Sequence, residues 1–329
     1  MTAPRRLLAA REVPVALALL VVVAGTTGAN PRFLSAQGRT DLMVAVAITA
    51  LVAVGQTFVI VMRHVDLSVG STLGLAAYFA ATAVRGHADG GVLTVLGIGL
   101  VVGVAVGVLN GALVAFLRLP ALVVTLGTLY VVKGVQAVVV GPHRINADQL
   151  PGTVVAFGRE SVLGIPYLMW LCLLAGLAGT WFLRTVRSGR DLYAIGSNGP
   201  AARLAGIPVW RREVLAFVVS GASAGLAGAL YLARFGGVDA NAGAGYELPV
   251  VAACVVGGVA ITGGVGTVAG ALLGAALLKT IGVALSALSV PEFWQQAVNG
   301  ALLLLAIAVD KVINDRRLRQ TTEVQEVPT

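Results

Sequence analysis

Charged residues are scarce in this sequence, and their scarcity argues against a water-soluble globular protein. They make up 12% of the 329 residues, whereas hydrophobic residues make up 57%. Soluble domains carry roughly 25% charged residues. The mean hydropathy is +0.91. A chain with so little polar surface needs lipid as the solvent for much of its exterior, so we expect a membrane protein.

Cysteine and histidine are also scarce, and this leaves no pattern for a disulfide framework or a metal site. Cys172 and Cys254 lie within apolar runs, without another cysteine or a histidine at metal-ligand spacing. His64, His87 and His143 lie in or near short loops, with no second histidine or carboxylate at such a spacing. We expect no metal ion, and we expect both cysteines to pack as small core residues.

Motifs for binding nucleotides or nucleic acids are missing. The run that comes nearest to the P-loop pattern G-x-x-x-x-G-K-[ST], Gly274–Thr280, is apolar and lacks the second glycine. The formal charge of +8 comes from basic residues scattered between apolar runs, without a basic patch interleaved with aromatic residues. We expect no cofactor on this chain and no nucleic-acid partner.

Long apolar runs are abundant, and they predict an all-α polytopic membrane protein. A membrane-spanning helix needs about 20 apolar residues. The first run follows three arginines, but it has no cleavage site of the signal-peptide kind, so we interpret it as a retained helix. The ten predicted spans cover about 14–29, 41–62, 67–84, 91–117, 120–140, 163–183, 213–233, 247–262, 265–287 and 293–309.

The basic residues predict how the chain is oriented. If both termini are cytoplasmic, fifteen of the 23 lysines and arginines fall on the cytoplasmic side and six on the other, with Lys133 and Lys279 inside spans. Loops that face the cytoplasm carry an excess of basic residues. We therefore predict a multi-pass protein of the cytoplasmic (inner) membrane with both termini in the cytoplasm.

Two long loops are candidates for contacts with soluble partners. The predicted outer loop 141–162 and the shorter outer loop 234–246 carry our candidate docking residues for an external protein, Asp148, Asp239 and Asn241. The predicted cytoplasmic loop 184–212 is rich in arginine. The long loops 141–162 and 184–212 are polar and are expected to face water, so they can meet proteins outside the membrane.

A short helix is predicted within the cytoplasmic loop. Asn198 suits the N-cap, Pro200 suits an early helical position, and Gly206 suits the end. A capped helix in such a loop suggests docking to another protein, although a merely solvated basic loop also fits the pattern. The candidate docking residues are Asn198, Ala201, Ala202, Arg203, Leu204, Ala205, Gly206 and Ile207.

Glycines recur every four residues in two of the predicted spans. One series starts at Gly99 and ends at Gly111, and the other starts at Gly266 and ends at Gly274. This spacing places small residues on one helix face and lets another helix approach closely. The series occupy the third helix of spans two to five and of spans seven to ten. Because those sets run in opposite directions, the chain is expected to have inverted-repeat-like halves.

A few polar residues inside the predicted spans are candidates for a pathway or gate. For Asp66, Ser68 and Ser71 at the start of the third span, a helix cap is the favoured alternative. Lys133 is costly in a membrane unless it reaches the outer interface. Asn110, Thr125 and Thr128 fit a polar path and fit hydrogen bonds between helices equally well.

Carboxylates inside the spans are nearly absent, and this bears on the energy source. Proton-driven transporters usually need buried acidic residues, whereas here Asp and Glu lie almost entirely at helix ends or in loops. Because the chain also lacks a P-loop, we expect either another chain to supply the energy or transport to be passive.

Five stretches together resemble the ribose/branched-chain-type permeases of ABC importers. They are HVDLSVGSTLG at 64–74, PALVVTLGTLYVVKG at 120–134, SGRDLYAIGSNGPAARLAGI at 188–207, GYELPVVAACVVGGVAITGGVGTVAGALLG at 245–274 and PEFWQQAVNGALLLLAIAVD at 291–310. The resemblance covers roughly residues 41–310. Two departures are Lys133, where this family often carries arginine, and Pro249, which should kink or start the eighth span.

The resemblance implies a set of partners and a role for the cytoplasmic loop. It implies a second permease chain, identical or not, two cytoplasmic ATPase subunits that bind ATP and magnesium, and an external sugar-binding protein. It also implies that the helix around Asn198–Ile207 couples the permease to the ATPase. INADQLP, LYAIGSN and RFGGVDANAGAGYEL look most like rhamnose permeases, with autoinducer-2 and ribose permeases as alternatives. A facilitator that works alone and a membrane scaffold are the rival functions.

Overall fold

A computed structural model describes residues 12–86, 91–141, 144–291, 293–295, 297–298, 300–301, 304–305 and 308. The described chain is mostly helical, as the sequence predicts. Among the described residues, seven helices are long and apolar enough to cross a membrane. They are α1 (Glu12–Ala29), α2 (Ala36–Val61), α4 (Val92–Leu117), α5 (Ala121–Val140), α7 (Tyr167–Thr185), α10 (Val209–Phe235) and α12 (Val268–Ala287).

Shorter elements connect the long helices. Two apolar helices, α3 (Val69–Val84) and α11 (Glu247–Val256), are shorter than a full span. The others are α6 (Gly152–Phe157), α8 (Arg187–Ser197), α9 (Gly199–Leu204), the 3₁₀ turns Pro31–Leu34 and Ala147–Gln149, and the strands β1 (Ser161–Val162) and β2 (Ile165–Pro166). The two strands form an antiparallel hairpin.

Helix α2 forms the centre of the bundle. Almost all of it from Val44 to Val61 is buried, and it packs against α7, α10, α11 and α12. Its sequence is apolar on every side, which is typical of a helix surrounded by other helices. In contrast, much of α1, α4 and α5 exposes large apolar side chains. In a membrane protein this exterior is solvated by lipid.

The glycines of the series on α4, and Gly270 and Gly274 of the second series, lie in helix–helix contacts as their spacing predicts, whereas Gly266 lies in the loop before α12. On α4, a Cβ atom at Gly103 would collide with the backbone carbonyl of Gly221 on α10. On α12, a Cβ atom at Gly274 would collide with the carbonyl of Ala253 on α11. Without side chains at these positions the backbones approach closely, and dispersion contacts replace the missing hydrophobic drive between helices in lipid.

The helices run so that two groups of loops gather at opposite ends of the bundle. The contacts of Gly99 with Gly225 and of Gly107 with Phe217 make α4 and α10 antiparallel. We call the end that carries Arg63, Asn198 and Gly264 the Asn198 end, and the end that carries Ile145, Asp148 and Val238 the Asp148 end. Helices α2, α4 and α7 run toward the Asn198 end, and α3, α5, α10 and α12 run away from it.

The helix boundaries depart from the predicted spans at several places, three of which lie at the Asn198 end. The predicted span 247–262 ends as a helix at Val256, because the following glycines Gly258, Gly263, Gly264 and Gly266 have positive φ angles. The predicted loop 184–212 contains α8 in addition to the expected short helix. Helix α10 begins at Val209, before the predicted residue 213.

Several predictions concern residues outside the described part of the chain. Seven residues of the predicted span 293–309 lie there, as do His87, His143 and both terminal segments, whereas the other ten residues of that span are described and are helical. Among the described residues, no group of three or more histidine, cysteine, aspartate or glutamate side chains is placed to hold a metal ion.

Candidate functional site

Helix α8 is fixed to the ends of the membrane-spanning helices. The guanidinium of Arg63 donates to the Ser197 carbonyl at 2.9 Å, and the Tyr193 hydroxyl donates to the Gly266 carbonyl at 2.8 Å. Asp191 accepts from two nitrogens of Arg212 on α10, each at 2.9 Å. Burial raises the pKa of Tyr193, so its hydroxyl keeps the proton that it donates. Helix α8 therefore connects α2, α10 and the glycine-rich loop 257–266.

Helix α9 continues from α8 with the caps that the sequence predicts. The Asn198 side chain accepts from the Ala201 amide at 3.1 Å, and Pro200 occupies the first turn. Gly206 has a φ of 76°, a value that glycine adopts without a steric penalty. The sequence therefore located both ends of this helix correctly.

Only one side of α9 is available to a partner. Leu204 is 92% exposed, and Ala201, Arg203, Ala205 and Gly206 are exposed as well. In contrast, Ala202 is buried in the core of this chain and Ile207 is partly buried. The sequence grouped all of them as docking residues. Some of these residues are exposed and others are buried because a helix that packs on its own protein must bury one face.

A cleft of about 440 Å³ lies beside α9 at the same end of the bundle. It is bounded by the turn between α4 and α5 and by the start of α10, and Arg118, Arg203 and Trp210 contribute to its lining. On its floor the imidazole Nε2 of His64 lies 3.6 Å from a carboxylate oxygen of Glu213. The Asn198 end thus has a structured surface with several cationic side chains.

A polar network surrounds Asp66, which is 1% exposed, and in this network the buried amide oxygen of Asn110 has no hydrogen-bond partner among the described residues. Its Oδ1 accepts from the amide and hydroxyl of Ser68 at 3.0 and 2.6 Å, and its Oδ2 accepts from the Ser220 hydroxyl at 2.8 Å. Asn110 donates to the Ser68 hydroxyl at 2.8 Å. With its amide oriented to satisfy both partners, Gln56 pairs with the backbone of Asp66. These bonds join α2, α3, α4 and α10.

The other candidate pathway residues lie around this network. Ser71 donates to the Ser68 carbonyl at 2.9 Å, and Thr125 lies 3.1 Å from the Val65 carbonyl; Thr128 is also buried. Ser68 occupies the N-cap of α3 but makes no side-chain capping bond. Asp66 instead accepts from the Ser68 amide and reaches Ser220, a partner that its sequence context does not reveal.

Lys133 lies apart from the other candidate pathway residues. It is half-buried on α5, seven residues before the last residue of that helix. That separation corresponds to about 10 Å along the helix axis. A role for these residues as a pathway or gate stays a prediction.

A non-helical segment enters the bundle between α10 and α11. It follows Phe235 and ends at Tyr246, and its Ala242 carbonyl accepts from the buried side chain of Gln136 at 3.1 Å. Gly74 on α3 lies against the same carbonyl, so only a glycine leaves room there. Irregular backbone is tolerated at membrane depth when protein covers it and satisfies its polar groups. In transporters, such interrupted helices often adjoin the solute path.

The three candidate docking residues for an external protein gather at the Asp148 end. Ile145 and Val238 pair through backbone hydrogen bonds of 3.1 and 3.0 Å, which joins the two outer loops of the prediction. Asp148 and Asn241 are exposed, and the half-buried Asp239 accepts from the Asn241 amide at 2.9 Å. The two loops therefore form one surface.

Comparison with known proteins identifies similar membrane proteins. Residues 38–307 match the family model described as "Branched-chain amino acid transport system / permease component". The chain is 36% identical over 317 residues to the "Autoinducer 2 import system permease protein LsrC" of Enterobacter sp. (strain 638), covering 96% of this chain and 90% of that protein. It is 34% identical over 308 residues to the "L-arabinose ABC transporter permease protein AraH" of Azospirillum brasilense, covering 92% and 88%. No solved structure matches the chain.

Proposed function

The chain belongs to the branched-chain amino acid transport system / permease component family, and on that premise we propose that it is the permease subunit of an ABC importer for a small sugar-like solute. The geometry of α8 and α9 is the observation that best supports this proposal. A rigid, capped helix with an exposed leucine suits docking to a second protein. The permease needs such a partner, because the sequence has no P-loop of its own.

The partners follow from this proposal. Two ATPase subunits dock at the Asn198 end, which faces the cytoplasm of a bacterial inner membrane, and an external binding protein docks at the Asp148 end. A second permease chain completes the transporter. The exposed arginines at the Asn198 end support the orientation, since basic residues are retained on the cytoplasmic side.

The names of the relatives bear on the solute. The two relatives named above transport autoinducer-2 and L-arabinose according to their names. Neither supports rhamnose, the solute favoured by the sequence motifs. We therefore propose autoinducer-2 or a pentose, and autoinducer-2 is the first solute to test because several of the similar permeases carry that name.

Uptake by the reconstituted complex tests the proposal. The permease is placed in proteoliposomes with its ATPase and binding protein, and uptake of autoinducer-2, L-arabinose and L-rhamnose is measured with and without ATP. ATP-dependent accumulation of one of these solutes is expected. Equilibration of solute by the permease alone would show a facilitator, and no movement of any solute would contradict the proposed transport.

Leu204 provides the sharpest test of coupling. Its side chain is 92% exposed, so truncation does not disturb the core of this chain. Loss of an anchoring side chain from an interface costs more than about 1 kcal/mol, or roughly fivefold in affinity. We expect L204A to lower ATP-dependent uptake and co-purification of the ATPase by at least that factor. Ala202→Trp is less informative, because Ala202 is buried and a larger side chain would disturb the fold.

The matched control is Leu93→Ala, which truncates an 84% exposed leucine at the start of α4, far from α9. It is expected to keep full uptake and ATPase binding. If L204A shows the same uptake and ATPase binding as L93A, the proposal that α9 couples the permease to the ATPase is wrong.

Cysteine labelling tests the orientation independently. Leu204 and Leu163 are 92% and 87% exposed and lie at opposite ends of the bundle, and both native cysteines are buried. In intact cells a membrane-impermeant maleimide is expected to label Leu163→Cys but to label Leu204→Cys only after permeabilisation. The reverse pattern would invert the proposed topology.

A further inference from the structure

The cleft beside α9 lies where three membrane-spanning helices reach the Asn198 end. Arg118 and Leu119 belong to the turn between α4 and α5, and Trp210 is the second residue of α10. Helices α4 and α10 have 26 and 27 residues, which corresponds to about 40 Å. Because the hydrocarbon core of a bilayer is roughly 30 Å thick, the ends of such helices reach the lipid headgroups. The cleft is therefore expected at headgroup level when the bundle is in a membrane.

The lining of this cleft combines cationic and apolar side chains. Arg118 comes from the α4–α5 turn and Arg203 from α9, and both side chains are exposed, so a ligand can reach them. The apolar part of the lining consists of Val114, Ala115, Leu119, Ile207, Pro208 and Val209. A lining of this kind suits an amphipathic ligand, which offers an anionic group to the guanidinium groups and hydrocarbon to the apolar side chains.

The two arginines of the cleft have no acidic partner within the described part of the chain. Glu213 is the one acidic residue in the lining, and its carboxylate lies 3.6 Å from the imidazole of His64. In contrast, the neighbouring Arg212 is held by Asp191 at 2.9 Å. Guanidinium groups bind phosphate through paired N–H donors. The cleft therefore presents two such groups that are available to an anion.

The backbone at Arg118 is in a conformation that favours glycine. Arg118 follows the last residue of α4 with φ 54° and ψ 32°, in the left-handed region. Glycine usually occupies this position at a helix end, because a Cβ atom is disfavoured there. Strained residues of this kind cluster at functional sites and ligand clamps. The side chain of Arg118 can therefore be removed by substitution with glycine without harm to the end of α4.

Trp210 connects the arginines to an apolar outer surface. Its ring centre lies 5.4 Å from that of Phe116 on α4 and 5.1 Å from the guanidinium carbon of Arg211. Tryptophan is enriched at the boundary between lipid and water, because one part of its ring is apolar and the other donates a hydrogen bond. Exposed apolar side chains continue along the ends of α4 and α5, all within five residues of Arg118: Phe116, Leu117, Leu119, Leu122 and Val123. Acyl chains can pack on this surface.

We propose that the cleft between the α4–α5 turn, α9 and the start of α10 binds an anionic phospholipid of the surrounding membrane. Its phosphate accepts from Arg118 and Arg203, and its acyl chains lie on the apolar surface next to Arg118. A soluble phosphate would use the arginines but leave that apolar surface without a partner. Basic pockets between helix ends are typical sites for anionic headgroups. Leu204 does not line the cleft, so a bound lipid leaves the exposed side of α9 available to the ATPase.

Lipid binding to the purified permease tests this inference directly. The protein in detergent is titrated with dioleoyl phosphatidylglycerol or with dioleoyl phosphatidylcholine, and native mass spectrometry measures the dissociation constant of the first bound lipid. The anionic lipid is expected to bind at least about tenfold more tightly, because charge-assisted hydrogen bonds to its phosphate are not opposed by a choline group. An excess of sn-glycerol 3-phosphate is expected not to displace it. Equal binding of the two lipids, or displacement by the soluble phosphate, would contradict the proposal.

Substitutions connect the bound lipid to the named arginines. Arg118→Gly and Arg203→Gln are each expected to raise the dissociation constant for phosphatidylglycerol by about tenfold or more, the usual effect of losing a hydrogen bond to a charged group. R118G is also expected to keep or raise the midpoint of thermal aggregation, since glycine suits the left-handed backbone there. Arg187→Gln is the matched control, because Arg187 is an exposed arginine at the start of α8, at the same end of the bundle but outside the cleft. It is expected to bind the lipid as the wild type does.

The outcomes separate this inference from the proposed function. If R118G and R203Q bind phosphatidylglycerol as tightly as R187Q does, the cleft is not the lipid site. If they keep the lipid but lose the co-purifying ATPase, the arginines dock a protein and the lipid proposal is wrong. If they lose the lipid while the wild-type complex transports no solute, the lipid site stands and the proposed transport function is wrong.

Discussion

The Asp66 network and the cavity beside Lys279 both place polar side chains inside an apolar bundle, yet they are packed in opposite ways. Around Asp66 both carboxylate oxygens accept hydrogen bonds, from Ser68 at the start of α3 and from Ser220 on α10. Lys279 and Thr49 line a cavity of about 250 Å³ between α2, α11 and α12; among the described residues Lys279 forms no ion pair, and the buried Thr49 hydroxyl has no hydrogen-bond partner. Burial and polarity alone therefore do not show how well a polar side chain is held in place; the carboxylate of Asp66 is held by two helices, whereas the ammonium of Lys279 is held by a ring contact with Tyr246.

The largest expected loss of stability comes from a substitution in the Asp66 network. Replacement of Asp66 by alanine removes three hydrogen bonds and leaves the Ser220 and Ser68 hydroxyls without their acceptor. Each buried group left unpaired costs about 1–3 kcal/mol, so we expect D66A to lose at least about 3 kcal/mol of stability. Thermal aggregation in detergent, followed by size-exclusion chromatography, measures the change. Asp148→Ala removes an exposed carboxylate and is expected to leave stability unchanged; equal midpoints for the two variants would contradict the clamp.

The next effect concerns the segment between α10 and α11, which lies between the two regions. A Cβ atom at Gly74 would collide with the Ala242 carbonyl, whereas one at Gly97 on α4 would meet open space. Overpacking costs about 1–3 kcal/mol, so Gly74→Ala is expected to lower the midpoint of thermal aggregation. Gly97→Ala is expected to be neutral or slightly stabilising, because alanine favours the helix by about 1 kcal/mol. If both variants behave alike, the segment does not pack against α3 as described.

The smallest expected effect on stability comes from removing a single hydroxyl group, in the Asp66 network or beside Lys279. Ser220→Ala removes a hydrogen bond to Asp66, and we expect a loss of about 1 kcal/mol or somewhat more, because the acceptor is a carboxylate. Thr49→Val removes a hydroxyl that has no partner and keeps the shape of the side chain, so stability is expected to stay the same or to rise. The same thermal assay compares them. A larger loss for T49V than for S220A would reverse the contrast between network and cavity.

Part of the site was accessible from the sequence because it depends on local chemistry. The N-cap at Asn198 and the stop at Gly206 follow from side chains and backbone preferences within a few residues. The glycine spacing on α4 and α12 likewise predicts a face where helices approach closely. Predicting α8 was harder, because its polar first turns resemble a solvated loop until Arg63, Arg212 and the 257–266 loop provide partners.

The sequence alone determined that this is an all-α membrane protein, where its apolar runs lie, and which family it resembles. The first two follow from composition and from the length of helix that lipid requires, and the resemblance rests on stretches such as HVDLSVGSTLG at 64–74. Only the tertiary structure decided that Ala202 faces inward, that Ser220 pairs with Asp66, and that Thr49 and Lys279 share a cavity. In lipid both the exposed and the buried faces of a helix are apolar, so hydrophobic periodicity does not reveal which helix neighbours which. The polar partners come from segments far apart in the chain, and packing alone brings them together.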